Sequence, residues 1–383
     1  MDFTEDELKE IYKKRVKILS THLAENNIGA CVFIDSEEHR EPAVRYYTGH
    51  ISDAVVIIFS DGYSILIPWD ENLAKQYATA SKIIPYTKYK NSDLDAVKAV
   101  LKLFDSHMIS GKVELPPYLT YPHYLQFLDA LSNFDCRCTN NGSHDFSTHC
   151  RIVKDEYEIN CLKTAAKVGD LIIDEIEKQI RAKKIKTEMD VALLIEKMCR
   201  ENKCERTGFD TLAAGPERSF AIHAFPGYTD SPWPAKGLSI LDFGVVYKGY
   251  TSDTTLTVAC GKLSLQQQKQ LNLVEHAYQE CLKLYTPEHT IVEAAKKADA
   301  VFAKAGRKMP HTLGHGIGLE IHEYPRVSTK TDSELHFLPG MVLTCEPGLY
   351  DPEIGGTRLE NDVLITNDGN EVISHSRIII LED

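Results

Sequence analysis

Nowhere along the 383 residues do eighteen apolar side chains run together, which excludes a conventional membrane-spanning helix. The opening MDFTEDELKEIYKKR is charged and no apolar stretch follows it, so a soluble, unexported, cytoplasmic protein is expected. Basic runs are equally scarce. None exceeds Arg181-Ala-Lys-Lys-Ile-Lys186, and 43 Lys and Arg against 56 Asp and Glu leave a net charge of −13. That balance argues against nucleic acid or an anionic membrane as partner and favours small, neutral or cationic ligands. The ten cysteines include no CxxC pair, and Cys136 and Cys138 lack a second pair or nearby histidines. Reduced thiols are the reading that remains, rather than a zinc site. Fixed-period repeats and low-complexity segments are missing as well.

What is present is a chain longer than the roughly 250 to 300 residues at which a single core stops growing, so two domains are expected. In residues 1–150, helix-like and strand-like pieces alternate: apolar positions at helical spacing from Glu5 to about Asn27, then runs at 30–34, 54–59 and 63–68, then a helical 94–104. This predicts an α/β unit. From 151 to 383 the texture is mixed α+β. Helices are expected at 156–180, 187–202, 264–284 and 291–305, with Thr187/Asp190 and Ser264/Gln267 at helix-start spacing. Strands rich in Thr, Val, Ile and Leu are expected at 238–246, 251–259, 341–346 and 357–366.

Chemistry concentrates on those strands. If Lys248 and Gly249 centre a tight hairpin, Asp242 lies opposite Thr255 and Asp253 is its diagonal neighbour on the same face, roughly 7 to 8 Å away at the backbone. A hairpin centred on Glu353, within the turn-rich Asp351-Pro352 to Gly355-Gly356 segment, sets Glu346 opposite Glu360. An isolated acid on a strand is usually just solvated. Here Asp242 sits in Ile240-Leu-Asp-Phe and Glu360 in Arg358-Leu-Glu-Asn-Asp-Val-Leu-Ile, runs that otherwise read as buried, and buried carboxylates are costly unless paired or metal-bound. Four carboxylates and a nearby neutral histidine match two divalent cations. This mostly oxygen set suits Mn, Co or Fe(II), with Zn also possible. Such a pair lowers the pKa of a bridging water and polarises a carbonyl, so hydrolysis is the chemistry implied.

In HTLGHGIGLEIHE (311–323), His311 and His315 have the spacing of a zinc-binding helix. However, Gly314, Gly316 and Gly318 would each cost a helix about 0.8–1.0 kcal/mol relative to alanine. A loop followed by an extended segment, with backbone passing close to a ligand, is expected instead.

Asp242, Asp253, His315, Glu346 and Glu360, in the contexts LDFG, SDTT, LGHGIGLEIHE, TCEPGLY and RLENDVLIT, resemble the five metal ligands of the pita-bread metallopeptidases. Val44-Arg-Tyr-Tyr-Thr-Gly49 and Arg151 to Ala166 extend the resemblance to the prolidase and aminopeptidase P branch, which acts on peptide bonds preceding proline. The resemblance implies a creatinase/prolidase-like N-terminal domain (1–150) and a pita-bread catalytic domain (151–383). It implies two divalent metals, with Asp242 chelating one, Asp253 and Glu360 bridging both, and His315 and Glu346 completing the other. The nucleophile would be a hydroxide bridging them, with Glu346 shuttling its proton. His322 resembles the histidine that stabilises the tetrahedral intermediate, and His223 the substrate-side histidine on the opposing loop. His311 and Arg358 are expected to support the ligands from behind. Asn361 follows the last ligand where many relatives have Asp, which puts one outer contact in doubt.

Tyr324 and Trp233 are equally readable as a wall for a proline ring or as core aromatics. Arg326 sits where prolidase-like relatives place a substrate-side arginine, whose planar fork suits a free carboxylate. An Xaa-Pro dipeptidase is therefore expected, working as a homodimer on small peptides with proline second. An Xaa-Pro aminopeptidase, a lyase or a binding protein on the same fold are the alternatives.

Overall fold

Helices begin where side chains can cap them. Thr187 and Ser264 accept from the backbone N–H groups of Asp190 and Gln267 at 3.1 and 3.2 Å, starting helices Glu188–Glu201 and Leu265–Leu282. Such caps contribute about 1 kcal/mol each. The computed structural model describes residues 3–382 and divides into two units, 1–150 and 151–383.

The N-terminal unit is built on six strands in the order Lys82–Ile83, Ser64–Pro68, Ala54–Phe59, Ala30–Asp35, Lys112–Glu114 and Asp135–Arg137. Ala30–Asp35 runs antiparallel to Ala54–Phe59 and parallel to Lys112–Glu114. Its continuous apolar runs are buried on both faces. Helix Asp93–Leu103 adds Ala96, Val97, Val100 and Leu101 to that core.

In the second unit, Gly237–Phe243 pairs antiparallel with Thr254–Cys260, and Asp242 faces Thr255 as expected. The chain turns through Lys248 (φ 49°) and Gly249 (φ 86°), both left-handed as a two-residue hairpin turn demands. A second antiparallel pair, Val342–Cys345 with Asn361–Thr366, matches Cys345 to Asn361. The inner ribbon Gly348–Asp351 with Gly355–Arg358 continues the same register, so Glu346 and Glu360 fall opposite each other between the two ladders. Leu241 and Phe243 turn into a core shared with Ile172, Ile173 and Ile176 of helix Glu156–Arg181. Leu343 and Val363 pack against Val274 and Phe302 of the two later helices. Each such buried side chain stabilises by about 1.5–3 kcal/mol. Helices thus cover one face of each hairpin, and strand alternation sends the carboxylates to the other.

Three strands that read as continuous are broken. The expected 251–259 strand gives way at Ser252 and Asp253, between Tyr250–Thr251 and Thr254–Cys260, so Asp253 stands just before the strand that pairs with Asp242 rather than on it. The expected 238–246 strand stops at Phe243 and resumes at Val245; at Gly244 between them the Ser252 carbonyl passes so close that a Cβ would lie 1.9 Å from its oxygen. The expected 357–366 strand breaks at Leu359–Glu360, where Glu360 leaves its own sheet and its N–H donates to Thr255 O at 3.1 Å. This bridge joins the two hairpins at their acidic centre.

No helix forms over 311–323: Gly314–Gly316 is a strand paired with Glu323–Val327 and Val342–Cys345. Gly314 and Gly316 make room for neighbouring backbone rather than for a ligand, and Gly318 makes room for the Glu323 carboxylate. A Cβ on Gly314 would stand 2.0 Å from Thr344 O, and one on Gly316 2.2 Å from Tyr324 O. Gly314→Ala should therefore cost about 2–4 kcal/mol, read as a fall in the urea midpoint; an unchanged midpoint contradicts the close approach.

Candidate active site

Arg358, only 2% exposed, organises one side of the acidic cluster. Its Nη2 binds Asp242, its Nε donates to Thr255 Oγ1 at 2.9 Å, and its Nη1 donates to Tyr350 Oη at 2.7 Å. Thr255 in turn donates to Glu360 Oε2 at 2.6 Å. Tyr350 lies 3.0 Å from His311 Nε2, and His311 Nδ1 lies 2.8 Å from the Thr312 carbonyl. A carbonyl only accepts, so Nδ1 carries the proton and Nε2 receives the tyrosine hydroxyl. Both His311 nitrogens are engaged. Burial, then the Arg358 charge, pushes this imidazole down to about 4.

Asp253, His315 and Glu360 each bring one donor atom within 4.8 Å of the others. His315 Nε2 is 3.6 Å from Asp253 Oδ2 and 3.5 Å from Glu346 Oε1. Its Nδ1 lies 3.0 Å from the Gly316 carbonyl, which fixes the proton there and leaves Nε2 bare. A lone pair aimed at two carboxylates is repulsive unless a cation stands among them. The acids give the same sign. Burial and neighbouring carboxylates, Glu360 foremost, raise Asp253 and Glu346 well above the carboxylate range. Burial, then Asp242, raises Glu360 to about 7. Burial, then His322, lowers His315 to about 3, as a neutral ligand requires. One Asp242 oxygen is buried without any hydrogen-bond partner among the described residues. The donor set therefore fits divalent cations.

These side chains line a cavity of about 510 Å3 that also takes in His223, His322 and Arg326. The His315 and His322 rings meet edge to face, centroids 4.3 Å apart. Buried Glu323 holds the His322 loop by accepting from the N–H groups of Leu319 and Glu320 at 3.1 and 3.3 Å and from Lys154 Nζ at 3.1 Å. Burial opposes its charge, but Lys154 and Arg151 keep its pKa below the usual value. Fully buried Glu188 secures the His223 loop through the N–H groups of Gly215 and Thr229 at 2.7 and 2.8 Å.

The aromatic wall differs from both aromatics considered from sequence. Trp233 is wholly buried in the core and Tyr324 is 52% exposed, and neither lines the cavity; Phe209 and Phe225 do. Asn361 donates to Tyr278 Oη at 3.1 Å, while the buried Asp362 accepts from the Asp253 N–H at 3.1 Å. Thr255, Tyr350 and Asp362 were not singled out. Thr255 was signalled by its place opposite Asp242 and Asp362 by lying two positions beyond Glu360, but nothing local marked Tyr350.

The model of metallopeptidase family M24 matches residues 160–367, more than half the chain. The chain belongs to metallopeptidase family M24 and is a metallopeptidase. An Xaa-Pro dipeptidase of Pyrococcus horikoshii is 28% identical over 371 residues, covering 94% of this chain and 97% of that one. An Xaa-Pro dipeptidase structure from Bacillus anthracis matches with a TM-score of 0.83 at 28% identity, over 97% of this chain and 100% of the other. An X-Pro aminopeptidase structure from Thermotoga maritima matches at 0.82 and 26%, over 96% and 99%. Within the family, the chain falls in the prolidase and aminopeptidase P branch, with an α/β N-terminal domain and a catalytic domain of pita-bread fold.

Proposed function

We propose that the chain is an Xaa-Pro dipeptidase that uses two divalent metal ions. The observation that carries the dipeptide reading is Arg326. It lines the same cavity as the acidic cluster, its backbone sits opposite His315 in the strand pair, and its guanidinium has no hydrogen bond or ion pair among the described residues. A free cationic fork beside a reaction centre suits the carboxylate that only a terminal proline presents.

Asp242, Asp253, His315, Glu346 and Glu360 would hold the ions, with Mn or Co favoured by the oxygen-rich set and Zn or Fe as alternatives. When bound, the ions supply Lewis acidity toward a carbonyl oxygen and toward water. Glu346 takes the proton of the attacking water and passes it to the proline nitrogen. Burial, then Arg326, lowers the His322 pKa; its N–H donates to the carbonyl oxygen as negative charge develops there. His223 closes the pocket on the substrate side, and Phe209 and Phe225 form the apolar wall for the ring. His311 and Arg358 hold the ligands in place from behind.

All ten cysteines are free and no described helix is long and apolar enough to cross a membrane. The free thiols support a cytoplasmic setting. Homodimeric assembly rests on the resemblance and is checked by sedimentation.

The metal-reloaded enzyme should cleave Gly-Pro and Met-Pro faster than Gly-Pro-Ala. Cleavage of the tripeptide alone reverses the assignment to an aminopeptidase. Arg326→Ala should raise the dipeptide KM about 10- to 100-fold, the loss of a charge-assisted pair, with little effect on any tripeptide hydrolysis.

A further inference from the structure

Helix Glu188–Glu201 closes in a left-handed turn. Lys203 takes φ 63°, the Cys204 N–H donates to Cys199 O at 3.1 Å, and the Lys203 N–H donates to Arg200 O at 3.0 Å. This pair of bonds sets the third residue from a helix end against the second residue beyond its cap, and the two side chains meet there. Helix Glu5–Glu25 closes in the same way, with Asn27 at φ 54° and the Ile28 N–H donating to Leu23 O at 2.8 Å. It fills the two places with buried Leu23 and Ile28. In helix Glu188–Glu201 both places hold cysteine.

With that backbone bond in place, standard bond lengths bound the separation of the two Cα atoms at about 7 Å, close to the span a disulfide accepts. The thiols themselves are in hydrogen-bonding contact, which lowers the pKa of Cys199 and raises that of Cys204. A Cys199 thiolate held by the Cys204 S–H has this pattern, and the thiolate is the reactive form. Both thiols are free, and both lie in the core that Val245 also joins. They sit at its edge. Arg200, Glu201, Lys203 and Glu205 around them are exposed, so opening of the last helical turn alone uncovers the pair.

We propose that Cys199 and Cys204 form a hydroperoxide-reactive dithiol site that closes to a reversible disulfide within the chain. The Cys199 thiolate attacks one oxygen of the hydroperoxide and the O–O bond breaks. The leaving alkoxide takes up the proton that the thiol released, and Cys199 becomes a sulfenic acid. Cys204 then attacks that sulfur and expels water. Two thiols are oxidised, and the hydroperoxide is reduced to an alcohol and water. A resolving thiol this close halts oxidation before the irreversible sulfinic acid, and a thiol reductant restores the pair by exchange. Because the sulfurs already adjoin, strand Arg206–Thr207 keeps its pairing with Val245 and Val246. The acidic cluster takes no part, so the site stands whether or not the peptidase reading holds.

The test treats the unaltered, full-length, metal-loaded protein with hydrogen peroxide, stops the reaction with catalase, alkylates the remaining thiols and maps the peptides by mass spectrometry without reduction. A cross-link between Cys199 and Cys204, lighter by two hydrogens and lost on treatment with dithiothreitol, is the expected product, with bound metal retained. Both thiols alkylated after peroxide, or either one joined to a different cysteine, overturns the proposal. Metal released in step with the cross-link contradicts closure in place. Cys204→Ser keeps a hydroxyl to hold the Cys199 thiolate but removes the resolving thiol. At the peroxide dose that closes the bond in the unaltered protein, Cys199 of this variant should run on to sulfinic acid. A Cys199 that stays a free thiol there refutes its part as the attacking group.

Discussion

Glu346→Gln should lower kcat by about 10³-fold, within the range ascribed to a positioned general base, while changing the dipeptide KM little. Glutamine keeps the size of glutamate and one oxygen donor, so the substitution removes the proton acceptor more completely than it removes a ligand. The position is well defined. Glu346 Oε1 stands 3.5 Å from His315 Nε2 and accepts from Thr344, and its backbone N–H donates to Leu313 O at 2.8 Å. In the metal-free chain, burial and the Glu360 charge raise its proton affinity. Metal content measured on the same preparation separates the two possible losses. A 10³-fold fall in kcat with metal retained supports proton transfer, whereas a fall that tracks metal loss assigns Glu346 to binding alone. Activity within tenfold of the unaltered enzyme removes it from the mechanism.

Removing the metal should destabilise the protein increasingly as pH rises above about 6.5. The sign follows from which state holds the protons. Glu360 is raised to about 7, and Asp253, Glu346 and Asp362 are raised well above the usual carboxylate range by burial and by the Glu360 charge. Between their unfolded values near 4.5 and their folded values, the folded state binds more protons, so stability falls as pH rises. The histidines act oppositely. His311, His315 and His144, depressed by burial to about 4, 3 and 3, remain neutral in the folded chain while the unfolded chain protonates them below about 6.5. The two sets oppose each other between 4.5 and 6.5. Above 6.5 only the carboxylates remain, and the Glu360 shift alone is worth on the order of 3 kcal/mol once fully expressed. Bound cations cancel that repulsion and add stability by mass action, about 4 kcal/mol at a thousandfold excess over Kd. Thermal melts of chelated and reloaded protein at pH 6.5 and 8 should diverge with pH. A gap that narrows toward pH 8 contradicts the charge cluster.

The parts of the site carried by strand register could be read from the chain. Lys248-Gly249 marks a turn with two left-handed residues, and pairing Asp242 with Thr255 then follows from counting. The same holds for Glu346 and Glu360, since the outer and inner ladders share one register. Helix starts were legible where Thr or Ser preceded Asp or Gln by three. The wall of the pocket was not, because the loops bearing Phe209, His223 and Phe225 have no periodicity and are held by remote groups such as Glu188. Tyr350 was equally hidden: its role depends on Arg358 and His311 meeting its hydroxyl, which no local spacing reveals. Trp233 and Tyr324 show the limit for aromatics, whose burial or exposure is decided by tertiary packing.

The bridge between Thr255 and Glu360 spans 105 positions of chain. A cation held by Asp253 and Glu360 together would act as a removable cross-link closing that loop. Neither hairpin alone presents the full donor set, so tight capture would follow their docking. Metal would then resist the separation of the hairpins more than it speeds their meeting, and its kinetic effect would fall chiefly on the rate of unfolding.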